Sequence, residues 1–454
     1  MLRREFLSVL PAGAAAAAPQ RRPNVVILLA DDLGWHDVGY HGSEIRTPNI
    51  DRLCQQGVRF ERAYSFPLCS PTRSGLMTGR SPMRLGTGYT VIRPWSDYGI
   101  PVKERFLPQA FHDAGYQTAI TGKWHLGHAY RRFLPNARGF DLAYGHLNGA
   151  LDYFTHEREG GLDWNRNGKS LREKGYTTFL LGDEACRFVK QRDKARPFFL
   201  YVPFNAPHAP LQAPTEFLEQ YAHIADTKRR CYAAMTTAMD HTVGRILATL
   251  DGEGVARDTL VLFFSDNGGP VRQGASNAPL RGAKGTCFEG GIRVPAVMRF
   301  PGRLPAGQTS QQVMTMMDYF PTLTAAAGVP NGSHEPFDGL NLWPAITSGK
   351  AAARGEIFFS VQAGAVDHYA ALTPEWKLVR TAPRDGSPRD LLFRIAEDPN
   401  ETTDLSGQNP QVAASLAAKI DQWRKLHPKD GVRDTGQPAG WKAPPLWAEA
   451  AREG

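Results

Sequence analysis

Three short stretches hold residue types that could do chemistry together. Asp31-Asp32 directly follows the apolar run PNVVILLA (23–30), and Asp266-Asn267-Gly268-Gly269 follows LVLFFS (260–265). Three carboxylates and an amide emerging side by side would repel one another unless a cation sat among them. An all-oxygen set of this kind suits Ca²⁺ or Mg²⁺ rather than Zn²⁺. One Asp-Asp or Asp-Asn pair is ordinary turn or cap chemistry. Two such pairs, each at the end of a buried strand, make a cation site the stronger reading. The third stretch is CSPTRSGLMTGR, Cys69 to Arg80. Pro71 fits the first turn of a helix, so Cys69 or Ser70 would sit at its N-terminus, where free N–H groups and the helix dipole favour negative charge. Arg73, one turn in, adds a fixed cation. On these grounds Cys69 is a candidate thiol nucleophile with a lowered pKa, although a neighbouring acidic cluster would oppose the thiolate unless a metal were present.

Those residues need a scaffold that brings strand ends together. PNVVILLA is continuously apolar and rich in β-branched residues, the pattern of a strand buried on both faces. FFLYVPF (198–204), LVLFF (260–264) and PAVMRF (295–300) read the same way. Between them the spacing predicts helices over 104–114 and 176–190, and a long one within 215–250, with another over 318–328 closed by Gly328. Strand-helix alternation implies an α/β fold, with a large mixed and mostly parallel sheet between helices. In such sheets, ligands bind beyond the carboxyl ends of the strands, where both acidic pairs fall. VPNGSHEPFDG (329–339) is rich in Pro, Gly and polar residues and suggests a boundary near 335. WKLVR (376–380), LLFRI (391–395) and a helix near 410–426 would form a small C-terminal antiparallel sheet with a helix. The expected divisions are therefore 1–20, a catalytic domain at 21–335, a C-terminal subdomain at 336–428 and an irregular tail at 429–454.

The chain has 454 residues, 42% hydrophobic and 22% charged, which fits a globular protein with one large and one smaller core. Its formal charge of +8 suits anionic ligands, but no Lys/Arg run is dense enough to indicate nucleic acid. MLRREFLSVLPAGAAAAAPQ (1–20) has paired arginines, then Phe-Leu, a short apolar stretch and small residues. This is the layout of a twin-arginine export signal, and implies a periplasmic or extracellular protein. No other segment has the uninterrupted apolar length of a membrane span. Cys54, Cys69, Cys186, Cys231 and Cys287 show neither paired nor zinc-type spacing.

The Cys-Ser-Pro-Thr-Arg stretch, continuing into Ser-Gly-Leu-Met-Thr-Gly-Arg, resembles the C-x-P-x-R signature of the type I sulfatases, in which the cysteine is oxidised to formylglycine. PNVVILLADDLGW (23–35), GKWHLG (122–127), PHAP (207–210), SDNGG (265–269) and LRGAKGTCFEGGIRVP (280–295) resemble further blocks of that family, in its order. The resemblance covers roughly residues 23–330, and DPNETTDL (398–405) is similar to the family's C-terminal subdomain. Within the family, GTGYTVIRPW (86–95), residues 134–157 and residues 199–214 look most like the arylsulfatase B (N-acetylgalactosamine-4-sulfatase) branch.

The resemblance implies an alkaline-phosphatase-like sandwich. It makes Asp31, Asp32, Asp266, Asn267 and the modified Cys69 ligands of one Ca²⁺ per chain, with Mg²⁺ the less favoured ion. An aldehyde hydrate at position 69 would be the nucleophile, with Asp266 as its proton acceptor. Arg73, Lys123 and Lys284 would converge on the sulfuryl oxygens, and His208 with Lys284 would protonate the leaving oxygen. His125 would then deprotonate the second hydroxyl, expelling sulfate and restoring the aldehyde. Taken singly, His125 and His208 read more often as structural or merely exposed histidines, and Lys123 and Lys284 as surface charges; their motif contexts raise them. Tyr153–His156 reads either as a sugar-stacking wall or as ordinary packing.

The implied partners are a sulfated oligosaccharide or aryl sulfate and a formylglycine-generating enzyme during maturation. Sulfate on a galactose-type sugar, such as 4-sulfated N-acetylgalactosamine, is the expected substrate, with other sulfated glycans including algal galactans as alternatives. Two other classes fit parts of the pattern. A phosphate or phosphonate ester hydrolase of the same superfamily could share the metal site, and a chain with unmodified Cys69 could be a non-catalytic binder of acidic glycans.

Overall fold

The computed structural model describes residues 22–453, so the expected export signal at 1–20 lies outside the described residues. In chain order, the elements that position the site and its support are β1 (Asn24–Ala30), α1 (Cys69–Thr78), β2 (Gln117–Lys123), β3 (Leu142–His146), α2 (Thr177–Gln191), β4 (Phe198–Pro203), α3 (Thr227–Gly252), β5 (Thr259–Ser265), β6 (Ala296–Arg299) and α4 (Met316–Ala327). They are followed by β7 (Ile357–Ala363), β8 (Val366–Leu372), β9 (Lys377–Pro383), β10 (Arg389–Phe393) and α5 (Pro410–Trp423).

Among the described residues the main sheet has ten strands, and its middle six run in the spatial order β6-β5-β1-β4-β2-β3. The pairs β5-β1, β1-β4, β4-β2 and β2-β3 are parallel, and β6 runs antiparallel to β5. The continuously apolar strand sequences follow from this placement. Val25, Ile27 and Leu29 of β1 enter one core while Val26, Leu28 and Ala30 enter the other, so both faces of the strand are covered. Helices α2 and α3 pack against each other on one face, and α1 and α4 pack together on the other.

The long helix within 215–250 begins later than its pattern suggests. Residues Thr215–Leu218 form a separate helical turn, and α3 starts at Thr227 because the Asp226 carboxylate accepts the N–H groups of Lys228 and Arg229 as an N-cap. The 104–114 helix is shorter too, running Leu107–Asp113, with Pro108 in its first turn.

Strands β7 to β10 form a separate four-stranded antiparallel sheet covered by α5. It joins the main body through Phe359, which contacts Phe66 at 5.4 Å and Tyr64 at 6.1 Å between ring centroids. The last residues contain no long helix or strand, yet they are tied down. Trp447 N–H donates to Leu162 O (3.0 Å), and Leu162 N–H donates to Pro445 O (2.9 Å). No helix among the described residues is long and apolar enough to cross a membrane.

Candidate active site

Parallel pairing of β1 and β5 sets Ala30 opposite Ser265, so Asp31-Asp32 and Asp266-Asn267 leave the sheet side by side. Asp266 N–H donates to Ala30 O at 3.0 Å, and Asp32 N–H donates to Asp266 Oδ1 at 3.2 Å. Asp32 has φ 72°, the left-handed region that a non-glycine residue enters only when its surroundings enforce it.

All ten residues of α1 are buried, which is why it lacks an amphipathic face. The hydroxyls of the CSPTRS stretch lock its start in place. Thr72 Oγ1 accepts Phe66 N–H (2.9 Å), while Ser70 Oγ donates to His125 O (3.0 Å) and accepts Ile92 N–H (3.1 Å). Ser70 thus staples the helix start to two loops that line the cleft above Cys69.

Three cations answer the three acids. Arg73 Nε and Nη2 both donate to Asp266 Oδ2, at 3.1 and 2.8 Å. Lys123 Nζ donates to Asp31 Oδ2 at 2.6 Å, and Lys284 Nζ lies 2.7 Å from Asp32 Oδ1. Asn267 Nδ2 donates to Asp32 Oδ1 at 2.7 Å. His208 Nε2 sits 3.6 Å from Asp32 Oδ2, and its Nδ1 donates to Ala209 O at 2.6 Å. Arg73, Lys123 and the three acids are buried.

Two buried oxygens of this cluster, Asp31 Oδ1 and Asn267 Oδ1, have no hydrogen-bond partner. A buried acceptor left bare costs about 1–3 kcal/mol, so the pair calls for a positive group. Ligand atoms of Asp31, Asp32, Cys69 and His208 also lie within 4.8 Å of one another. The donor set is mainly oxygen, which fits a hard divalent cation. The acids and bases already balance at three against three, so a dication would leave the site net positive and ready for an anion.

The electrostatics separate the roles. Burial works to raise Asp32, but Lys284, then His208 and Asn267, hold it down at about 2. Burial and the Asp31 charge push Asp266 up to about 6 against Arg73 and Lys123. Burial pushes the Cys69 thiol up to about 11, Lys123 and Lys284 opposing and Asp31 and Asp266 adding to the rise. This corrects the expectation of a lowered thiol pKa. The helix terminus does not make a thiolate here, because desolvation dominates and Arg73 spends its charge on Asp266.

Burial, with Lys284, takes His208 down to about 3, and burial, with Lys123 and Arg73, takes His125 well below the ordinary histidine value of 6.5. His125 Nε2 faces Ile92 O at 3.1 Å and must therefore carry the hydrogen, which leaves the buried and unpartnered Nδ1 as an acceptor. Its backbone has φ 59°. Gly149 packs so closely that a Cβ there would lie 2.4 Å from the imidazole.

Cys69, His125, His208 and Lys284 share a cleft of about 160 Å³ with Arg93, Pro94, Gly149 and Arg158. Tyr153–His156 does not line it. Tyr153 is buried with its hydroxyl 2.6 Å from Asn205 O, and His156 stacks on Trp164, so both are packing residues. Arg93 and Arg158 escape sequence reasoning, since an isolated arginine in a loop carries no spacing signal. His146, buried and in register with Lys123 on the neighbouring strand, escapes it too; its place at the end of a parallel strand is the available clue.

Comparison with known proteins decides the family, since its sulfatase model matches residues 23–329. The chain belongs to the sulfatase family. It is a sulfuric ester hydrolase. A second model, N-sulphoglucosamine sulphohydrolase, C-terminal, matches residues 283–426. The chain is 32% identical to arylsulfatase J of Mus musculus over 90% of its own length and 77% of the relative's. It is 34% identical to N-acetylgalactosamine-6-sulfatase of Homo sapiens, covering 89% of this chain and 85% of that one. Among solved structures, Ps i-CgsB in complex with k-i-k-neocarrahexaose superposes with a TM-score of 0.85 at 33% identity, covering 91% of this chain and 96% of that one. These relatives do not carry the arylsulfatase B name that the sequence suggested. Phosphonate monoester hydrolase of Agrobacterium radiobacter, at 21% identity and a TM-score of 0.66, shares the fold alone. The five cysteines of this sulfatase are free, Cys69, Cys186 and Cys287 being buried.

Proposed function

We propose that this sulfatase removes sulfate from a galactose-type sugar of a glycan, using a formylglycine made from Cys69 and one bound Ca²⁺, with Mg²⁺ the poorer fit. The observation that carries the reading is the buried cluster beside Cys69, where balanced charges leave Asp31 Oδ1 and Asn267 Oδ1 bare. Asp31, Asp32, Asp266, Asn267 and residue 69 would hold the ion, with His208 close by. When bound, the ion supplies Lewis-acid polarisation of the nucleophile and of a sulfuryl oxygen. Formylglycine supplies a hydrated aldehyde in place of a thiol that burial keeps protonated.

The chain's own residues then divide the work. Lys123, Lys284 and Arg73 stabilise charge on the sulfuryl oxygens. Asp266 takes the proton of the attacking hydroxyl. Lys284 and His208 would face the leaving oxygen; burial and then the Lys284 charge keep His208 neutral, and an arriving sulfate offsets the second of these. His125 Nδ1 is the base for the second hydroxyl, a role that suits an imidazole held unprotonated.

The names of the relatives support a galactose-type substrate but divide on the position. N-acetylgalactosamine-6-sulfatase names the 6-position, whereas the arylsulfatase B-like stretches at 86–95 and 134–157 favour the 4-position. The neocarrahexaose bound by Ps i-CgsB adds a galactan-type oligosaccharide to the class. Export through the twin-arginine-like segment at 1–20 fits an extracellular polymer. Two measurements test the reading. Mass spectrometry of the Cys69 peptide from active enzyme should show the aldehyde, and an unmodified thiol would refute the nucleophile. Desulfation of defined 4-sulfated and 6-sulfated galactosamine disaccharides and of carrageenan oligosaccharides should give turnover on at least one. Preference for a glucosamine sulfate would remove the galactose-type assignment and leave the family intact.

A further inference from the structure

The sulfate cleft does not end at Arg93 and Arg158. Pro94 lines it and also lines a second cleft of about 170 Å³, whose other walls include Trp95, Asp97, Trp441, Trp447 and Arg452. Trp441 sits between the other two indoles, 5.9 Å from Trp95 and 6.1 Å from Trp447 between ring centroids. Trp95 and Trp441 are partly exposed, whereas Trp447 is buried and anchors the wall. The Trp447 indole N–H donates to Arg158 O at 3.0 Å, so the residue that lines the sulfate cleft and the aromatic wall are held by one contact. The C-terminal segment is further fixed by Arg452 N–H donating to Ala129 O at 3.0 Å. At the rim, Arg452 and Asp97 form an ion pair at 2.5 Å, which leaves that edge polar without net charge.

From this geometry we propose that the Trp95–Trp441–Trp447 cleft is a second sugar subsite, which takes a neutral pyranose ring next to the sulfated residue on the same chain. The inference rests on the glycan reading above. An indole face matches the C–H face of a pyranose, and the paired Asp97 and Arg452 offer an acceptor and donors to ring hydroxyls. A sulfated ring is the poorer fit, because the one cation at the rim is already matched by a carboxylate. The contiguity through Pro94 means one oligosaccharide could fill both clefts, with its sulfate ester over Cys69 and its neighbour on the tryptophans. The segment that reads as an irregular tail is then part of the substrate-binding surface.

The test compares p-nitrophenyl sulfate, which reaches only the first cleft, with kappa-carrageenan oligosaccharides of two and six sugars, in which a neutral ring flanks each sulfated one. For the wild-type enzyme kcat/KM should rise with chain length. In Trp441→Ala and Trp95→Ala the ratio of hexasaccharide to p-nitrophenyl sulfate kcat/KM should fall roughly tenfold, mostly through KM, and Trp441→Phe should retain most of it. The activity on p-nitrophenyl sulfate reports whether each variant folded. A ratio that stays constant in both alanine variants overturns the subsite while leaving the glycan reading in place. A wild-type enzyme that cleaves p-nitrophenyl sulfate but no oligosaccharide refutes the glycan reading itself, and the subsite with it.

Discussion

Two buried charge clusters in this sulfatase look alike in composition and differ in whether they reach a cleft. Around Cys69, three acids face three bases, yet two buried oxygens stay bare in a cluster whose Cys69, His208 and Lys284 line an open cleft. Beneath the small sheet, Lys377 Nζ lies 2.8 Å from both Glu289 Oε1 and Glu401 Oε1, all three side chains being wholly buried. Glu289 N–H donates to Glu401 Oε2 (2.7 Å), Tyr64 donates to Glu289 Oε2 (3.0 Å), and Arg281 donates to Glu401 O (2.9 Å). That second cluster joins the catalytic body to β9 and to the DPNETTDL stretch. Its Glu401 Oε1 also makes no hydrogen bond, but the Lys377 charge lies against it and the cluster lines none of the clefts described above. The difference teaches that buried charge alone does not mark an active site. Unpartnered acceptors in a cluster that reaches a cleft do, because only there can a ligand arrive to satisfy them.

The comparison can be broken most sharply at the catalytic cluster. Cys69→Ala and Asp31→Ala should each lower turnover by more than about a thousandfold, as expected for groups that act as a unit. In thermal melts, Ca²⁺ should raise the midpoint of the wild type and chelator should lower it, while Asp31→Ala should lose most of that response. Full activity in Asp31→Ala would rule out the cation site.

Next in size is the staple. Lys377→Met leaves Glu289 and Glu401 buried without their cation and should cost about 3–5 kcal/mol in denaturant unfolding. Its kcat per folded molecule should stay close to that of the wild type. Loss of kcat without loss of stability would show that the two clusters are not functionally distinct.

A smaller effect concerns pH. His125 acts as a base only when unprotonated and only after the leaving oxygen has gone, so kcat reports it. Burial has lowered its pKa, so its limb in kcat should lie well beneath pH 6.5, whereas Asp266, held at about 6, sets the acid limb of kcat/KM. A limb in kcat centred at 6.5 would exclude His125 as that base. The smallest expected effect comes from Glu401, which burial pushes up to about 7 from an ordinary 4.5. The folded state holds this proton more tightly than the unfolded one. Its contribution is therefore present below about pH 4.5 and lost as pH rises through about 7. The pH slope of stability across that window should shrink in Glu401→Gln relative to wild type, and an unchanged slope would assign it to other groups.

Local sequence carries much of this molecule. The unbroken apolar strands, the acidic pairs at their ends and Pro71 in the first turn of α1 act over a few residues, and each is legible from the order of residues alone. Family motifs name the site residues together. What stays hidden depends on distant chain segments meeting. Burial under distant segments desolvates Cys69 and raises its thiol pKa instead of lowering it, while Arg73, whose charge the sequence assigns to Cys69, is held by Asp266, 193 positions away. Tyr153 and His156 turn inward because Asn205 O and Trp164 offer partners that no local pattern foretells. The C-terminal tryptophans carry no periodicity, yet they meet Trp95 across the cleft from nearly the far end of the chain. Short-range spacing determines which residues could do chemistry. Burial and long-range pairing, which set desolvation and charge balance, decide what each of them does.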